Sequence, residues 1–137
     1  MKTLLIIPTL FATALFAGAA PQLQGYLDGL QAEVKKNEPA FNGFSAERGE
    51  KVFTSKHIGK RGKEVACTSC HSTVLTNKGE NINTGKVIEP LAPSANPKSL
   101  SDVKNVKKWL RRNFKDVYTR VGTAKEKGDV LTYILNH

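Results

Sequence analysis

The pentapeptide Cys67-Thr68-Ser69-Cys70-His71 holds both of the chain's cysteines, and it constrains the fold more than any other stretch. At C-x-x-C-H spacing, two thiols project from about one helical turn with an imidazole next to them, the attachment pattern of a c-type haem. Cys67 and Cys70 are the expected thioether positions, and His71 is the expected proximal iron ligand. With no further cysteine, the expectation is one haem c, covalently attached. Other uses of the motif fit less well. A thioredoxin-like site needs a βαβ setting, and no parallel strand is legible. A structural zinc site needs four ligands, and the other histidines, His57 and His137, are distant in sequence. A plain Cys67–Cys70 disulfide leaves His71 without a role.

The N-terminus places this chemistry in a compartment. Lys2 precedes an almost wholly apolar run from Leu4 to Phe16, and Ala17-Gly18-Ala19 follows as an A-x-A cleavage pattern. Residues 1–19 therefore read as a secretory signal peptide cut after Ala19, since the run is short against the ~20 residues that a span needs. The expected product is a single domain, residues 20–137, in the bacterial periplasm and without stable membrane insertion. Outside the cytosol, thiols are oxidised or otherwise committed. The net charge of +9 becomes +8 once Lys2 is removed. For an exported chain this argues against nucleic acid and for an acidic partner or surface.

The remaining pattern is helical. Leu23, Tyr26, Leu27, Leu30 and Val34 form an amphipathic stripe that should stop before Pro39. Ser45 is the expected N-cap of a second helix, with Glu47 and Glu50 in its first turns and Gly59 and Gly62 at its end. Residues 73–99 carry Pro90, Pro93, Pro97, Gly79 and Gly85, and they read as a long loop of the kind that wraps around something. Ser99 or Ser101 should open a third long helix running to about Arg120. Thr123 and Glu126 form a capping box for the last helix. The expectation is an all-α domain of four helices and one long Pro/Asn-rich loop, with no strand alternation. For a core this modest, a covalent cofactor is a natural support.

The far side of the iron is constrained by counting. Electron-carrying cytochromes c commonly use a methionine there, but the only methionine is Met1, which leaves with the signal peptide. His57, His137, Asn113, a lysine or an open position remain. Asn113 sits inside an apolar stripe, about 20° from Val106 and within about 60° of Leu110 and Val117 on a helical wheel. A buried amide must be satisfied or it costs about 1–3 kcal/mol. Backbone or water could satisfy it, or it could be aimed at iron. His57 could instead be a helix-terminal imidazole or the sixth ligand of a bis-histidine haem. His137, as the last residue, is expected to fray.

Several segments resemble the SHP-type (sphaeroides haem protein) cytochromes c: PAFNGFSAERGEKVF at 39–53, Cys67–His71, TGKVIEPLAPSANP at 84–97, WLRRNFKDV at 109–117 and TAKEKGDV at 123–130. The resemblance implies a class I cytochrome c-like helical domain around one covalent haem, with an extra N-terminal helix. It places the haem cysteines on Cys67 and Cys70, the proximal ligand on His71 and a redox-dependent distal asparagine on Asn113. It further implies that the asparagine leaves on reduction and frees a site for O2, CO or NO. Family members usually bridge two cysteines at positions that are Phe114 and Gly122 here, so this brace on the ligand-bearing segment is absent.

The functional expectation is an exported electron-transfer haem protein that binds a diatomic gas at reduced iron. The alternatives are a plain shuttle with His71/His57 coordination and a reductase of O2, NO or peroxide. The reductase lacks an acid–base pair beside the motif. Other cytochromes with an acidic docking face are the expected redox partners. Lys56, Lys60, Arg61 and Lys63 form a basic cluster just before Cys67, while Lys86, Trp109, Arg111 and Arg112 are further candidates to line the haem.

Overall fold

The apolar stripe of the first helix meets the cap and stop signals around it. The computed structural model describes residues 21–137, and the expected leader lies outside the described residues. Helix α1 (Pro21–Asn37) buries Leu23, Leu27, Leu30 and Val34. It ends before Pro39, whose ring disfavours helical backbone at the residue ahead of it. Helix α2 (Ala46–Thr54) begins at Ser45, whose hydroxyl accepts from Arg48 N at 3.2 Å. Helix α5 (Ala124–Leu135) opens with the full capping box of Thr123 and Glu126.

Five helices form among the described residues, and four of them line one hydrophobic core. Helix α2 crosses α5 so closely that a Cβ on Gly49 would lie 2.0 Å from the Asp129 carbonyl oxygen. Phe53 packs on Tyr133 below this crossing, with ring centroids 5.6 Å apart. Asp129, only 3% exposed, accepts from Ser45 N at 2.7 Å and from Arg48 Nε at 2.8 Å. A buried carboxylate held this way locks the start of α2 to α5, and removing one partner of such a pair costs about 3–5 kcal/mol.

Four expectations need correction. First, α2 stops at Thr54, not at Gly59 or Gly62, and residues 57–65 turn back as a hairpin. Strands β1 (His57–Ile58) and β2 (Glu64–Val65) pair antiparallel, with Gly62 at φ +71° in the turn, a conformation that glycine adopts at little cost. His57 is thus a strand residue, not a helix-terminal one. Second, a further one-turn helix, α3 (Thr68–His71), carries the haem motif, giving five helices instead of four. Third, the long loop contains its own antiparallel pair, β3 (Gly79–Glu80) and β4 (Val87–Ile88). Two-residue strands are too short to show a period of two, so alternation could not reveal them.

Fourth, helix α4 (Val103–Tyr118) is capped by Asp102 rather than Ser99 or Ser101. The Asp102 carboxylate accepts from Asn105 N at 3.2 Å, while the Ser101 hydroxyl turns back to donate to Lys98 O. The loop before it is ordered by packing: Leu75 and Ala92 are buried, and Ala92 N donates to Leu75 O at 3.0 Å. His137 is also held. Its ring lies edge-on to Tyr133 with Nδ1 2.9 Å from Tyr133 O, and Ser94 Oγ donates to its carbonyl.

Candidate haem site

Residues 67–71 form a single tight turn. Cys70 N and His71 N both point at Cys67 O, at 3.2 and 3.0 Å, and Ala66 N donates to Ser69 Oγ at 3.0 Å. This turn brings the two half-buried, unbridged thiols and the imidazole together on one element. Burial pushes the Cys67 thiol up to about 11. A redox-active C-x-x-C needs the opposite shift, because the thiolate is the reactive form. Burial likewise lowers the pKa of His71, which keeps its ring neutral and its lone pair free for a metal.

The β3–β4 hairpin seats this turn from the outside. A Cβ on Gly79 would lie 1.9 Å from the Cys70 carbonyl oxygen, so only glycine lets β3 run against α3. In the sequence Gly79 looked like one more loop glycine, and nothing in its neighbours distinguished it. Phe53 of α2 flanks the His71 ring at 6.1 Å between centroids.

Across from His71 stands α4. Its inner face buries Val106, Leu110, Phe114 and Val117, and Asn113 lies half-buried among them. The Asn113 Nδ2 atom is 3.3 Å from His71 Nε2. Two residues separated by 42 positions thus present their polar tips to each other inside an apolar setting. If Asn113 donates to Nε2, the ring proton sits on Nδ1, which is buried without a partner. His57 is placed differently: its ring stacks on Tyr118 at 4.0 Å, and its buried Nε2 has no partner. Phe114 and Gly122 do meet, since a Cβ on Gly122 would lie 2.6 Å from the Phe114 ring. Aromatic packing therefore closes the same span that the resemblance associates with a disulfide.

These residues fit a covalent haem. His71 would supply an imidazole and Asn113 an amide to the iron, since their polar tips stand 3.3 Å apart. Cys67 and Cys70 would hold the porphyrin, and no group of three or more potential metal-ligating His, Cys, Asp or Glu side chains exists among the described residues to compete for the iron. Of the further candidates to line the haem, Lys86, Arg111 and Arg112 are exposed, and Trp109 is 49% exposed. Within the basic cluster, Lys56 is paired with Glu64 at 3.2 Å, while Lys60, Arg61 and Lys63 lie exposed at the β1–β2 turn.

A small helical fold built around a C-x-x-C-H turn defines a monohaem c-type cytochrome. The comparisons with known proteins agree. Residues 39–134 match a family described as a domain of unknown function, DUF1924. The cytochrome c-type protein SHP of Cereibacter sphaeroides is 36% identical over 137 residues, covering 98% of each chain. The structure of oxidized SHP, an oxygen-binding cytochrome c, superposes with a TM-score of 0.75 at 34% identity, covering 87% of this chain and all of that one. Oxidized cytochrome c'' from Methylophilus methylotrophus gives 0.74 at 30% identity, over 84% and 94% of the two chains. The chain belongs to the SHP-like cytochrome c family.

Proposed function

We propose that this chain is an exported, periplasmic electron-transfer cytochrome in which Asn113 is the distal iron ligand when the metal is oxidised, and in which a diatomic gas takes that position on reduction. The observation that carries this reading is the 3.3 Å approach of Asn113 Nδ2 to His71 Nε2. The description of its relative SHP as an oxygen-binding cytochrome c supports the second half.

Bound at Cys67 and Cys70, the haem would supply a one-electron iron couple and a position for a further ligand. His71, kept neutral by burial, provides the proximal lone pair. Asn113 offers a neutral amide, a weak donor next to an imidazole or a thioether. Its side chain rotates about two bonds without moving α4, so a two-state position of the amide would be open to it, and its N–H would stay near enough to act as a donor. His57 stacks on Tyr118, whereas Asn113 meets His71 tip to tip, which favours Asn113 over bis-histidine coordination.

Paired spectra test the proposal. The ferrous holoprotein is expected to be high-spin and to bind CO, with a shifted Soret band. A low-spin ferrous haem silent to CO overturns gas binding and restores the plain shuttle.

For electron transfer, the partner is a second cytochrome with an acidic face, met by Lys60, Arg61 and Lys63 near the haem turn. Complementary charge speeds encounter by about 10–10³-fold and fades with salt. Stopped-flow rates with an acidic cytochrome are expected to fall steeply as ionic strength rises, and salt-independent rates remove the docking role.

A further inference from the structure

The outer face of α4 carries six basic side chains along a single helix. Lys104, Lys107, Lys108, Arg111 and Lys115 fall within about 100° of arc on the helix, with Arg112 about 40° beyond, and Asn113 points the opposite way, about 180° from Lys104. The ion pairs found among the described residues join Arg48, Lys51, Lys56, Lys78, Arg120 and Lys125 to carboxylates, and none involves α4. Asp116 is the helix's one internal carboxylate. At the edge of the stripe, the half-exposed Trp109 indole is bracketed by Lys108 Nζ at 5.2 Å and the Arg112 guanidinium at 5.4 Å.

We infer that this face docks on an anionic phospholipid surface. Six cations without a carboxylate partner, one of them resting on the Tyr26 ring, meet a flat sheet of headgroups together, and each Lys or Arg adds to attraction within a Debye length of such a surface. An exposed indole among cations suits the headgroup layer, where Trp is enriched. The groove formed by Thr68, Cys70, Gly79, Ile82 and Val87 lies at the haem turn, with no α4 residue in its lining. The apolar side of α4 is committed to the core, so the chain would lie on the bilayer without inserting a helix. Docking here turns the helix carrying Asn113 toward the membrane and leaves the hairpin lysines free for a redox partner.

Co-sedimentation of the holoprotein with vesicles tests this. Vesicles of phosphatidylcholine with a minority of phosphatidylglycerol are expected to pull down the protein at low salt and release it at high salt, while phosphatidylcholine alone does not bind. The triple variant Lys104→Glu, Lys108→Glu, Lys115→Glu is expected to lower the partition coefficient at least about tenfold with the visible haem spectrum unchanged. Glutamine at the same positions should act in the same direction. The control Lys35→Glu, Lys36→Glu, Lys86→Glu makes the same change in net charge away from α4 and is expected to stay within about twofold. Equal losses in both triple variants would assign binding to net charge and overturn the α4 assignment. Retention on polyglutamate without vesicle binding overturns the lipid in favour of an acidic protein.

Discussion

Gly49→Val is expected to prevent this chain from reaching its native fold, read as loss of the cooperative urea transition and of haem-bearing protein on expression. The reason is contact between backbones. A Cβ at position 49 would sit 2.0 Å from Asp129 O, 2.5 Å from Asp129 C and 2.8 Å from Tyr133 Cβ. No side-chain rotation relieves a clash with a helix backbone, so α2 and α5 must separate. Separation loosens Phe53 from Tyr133 and Arg48 from the buried Asp129 in one step. Overpacking alone costs about 1–3 kcal/mol, and loosening Phe53 from Tyr133 and the Arg48–Asp129 pair adds to it. A loss of this kind is large against the ~5–15 kcal/mol that holds a small domain together. Alanine at position 49 should already be strongly destabilising. Gly25 and Gly29 of α1 give the contrast: nothing lies within 4 Å of a Cβ there, so alanine at either is expected to stabilise by about 0.5–1 kcal/mol. If Gly49→Val melts within 1 kcal/mol of the parent, on the scale of ~1 kcal/mol uncertainties, the crossing is not the keystone of the fold.

What could be read from the sequence depended on whether a feature is local. Ser45, Thr123 with Glu126, and the Leu23–Val34 stripe are interactions within one turn or one helix, and the structure keeps each of them. The end of α4 shows the limit of such reading: Val121 continues the apolar pattern, yet the helix stops at Tyr118, Thr119 turns left-handed, and Val121 is 49% exposed. The hairpins were hidden because two-residue strands depend on their partners, not on their own composition. Gly49 and Gly79 carried no signal at all, because their need for hydrogen in place of a side chain comes from Asp129 and Cys70, 80 and 9 positions away. The strand position of His57 is hidden for the same reason: Ser55 turns extended at ψ 131° and ends α2, and the hairpin docks on α4 through Lys60 N and Asp116 O at 2.9 Å. At the haem site the cysteines and His71 were legible as a motif. The oddity of Asn113 was legible from periodicity, but what it faces is a tertiary fact, since the helix wheel gives a direction without a neighbour.

Asn113→Ala is expected to convert the ferric holoprotein to a high-spin or water-ligated spectrum while the fold persists. The amide is the group nearest His71 Nε2, at 3.3 Å, and alanine has no atom to replace it. Stability should change little, because α4 is anchored by Val106, Leu110, Phe114 and Val117 on either side of position 113, and Tyr118 Oη donates to Val52 O at 2.7 Å at its end. The ferrous form should bind CO at least as tightly and faster, because an internal competitor lowers apparent affinity by the fraction of time the site is closed. Asn113→His inverts the outcome: imidazole is the stronger ligand, so the ferric and ferrous spectra should both turn low-spin and CO binding should slow. His57→Ala is expected to leave the ferric spectrum in place, since that ring rests on Tyr118. An unchanged ferric spectrum in Asn113→Ala together with a changed one in His57→Ala would move the distal ligand to His57. In that event the 3.3 Å approach of Asn113 to His71 would be a packing contact, and the absence of methionine from residues 21–137 would point to bis-histidine electron transfer instead of a gas site.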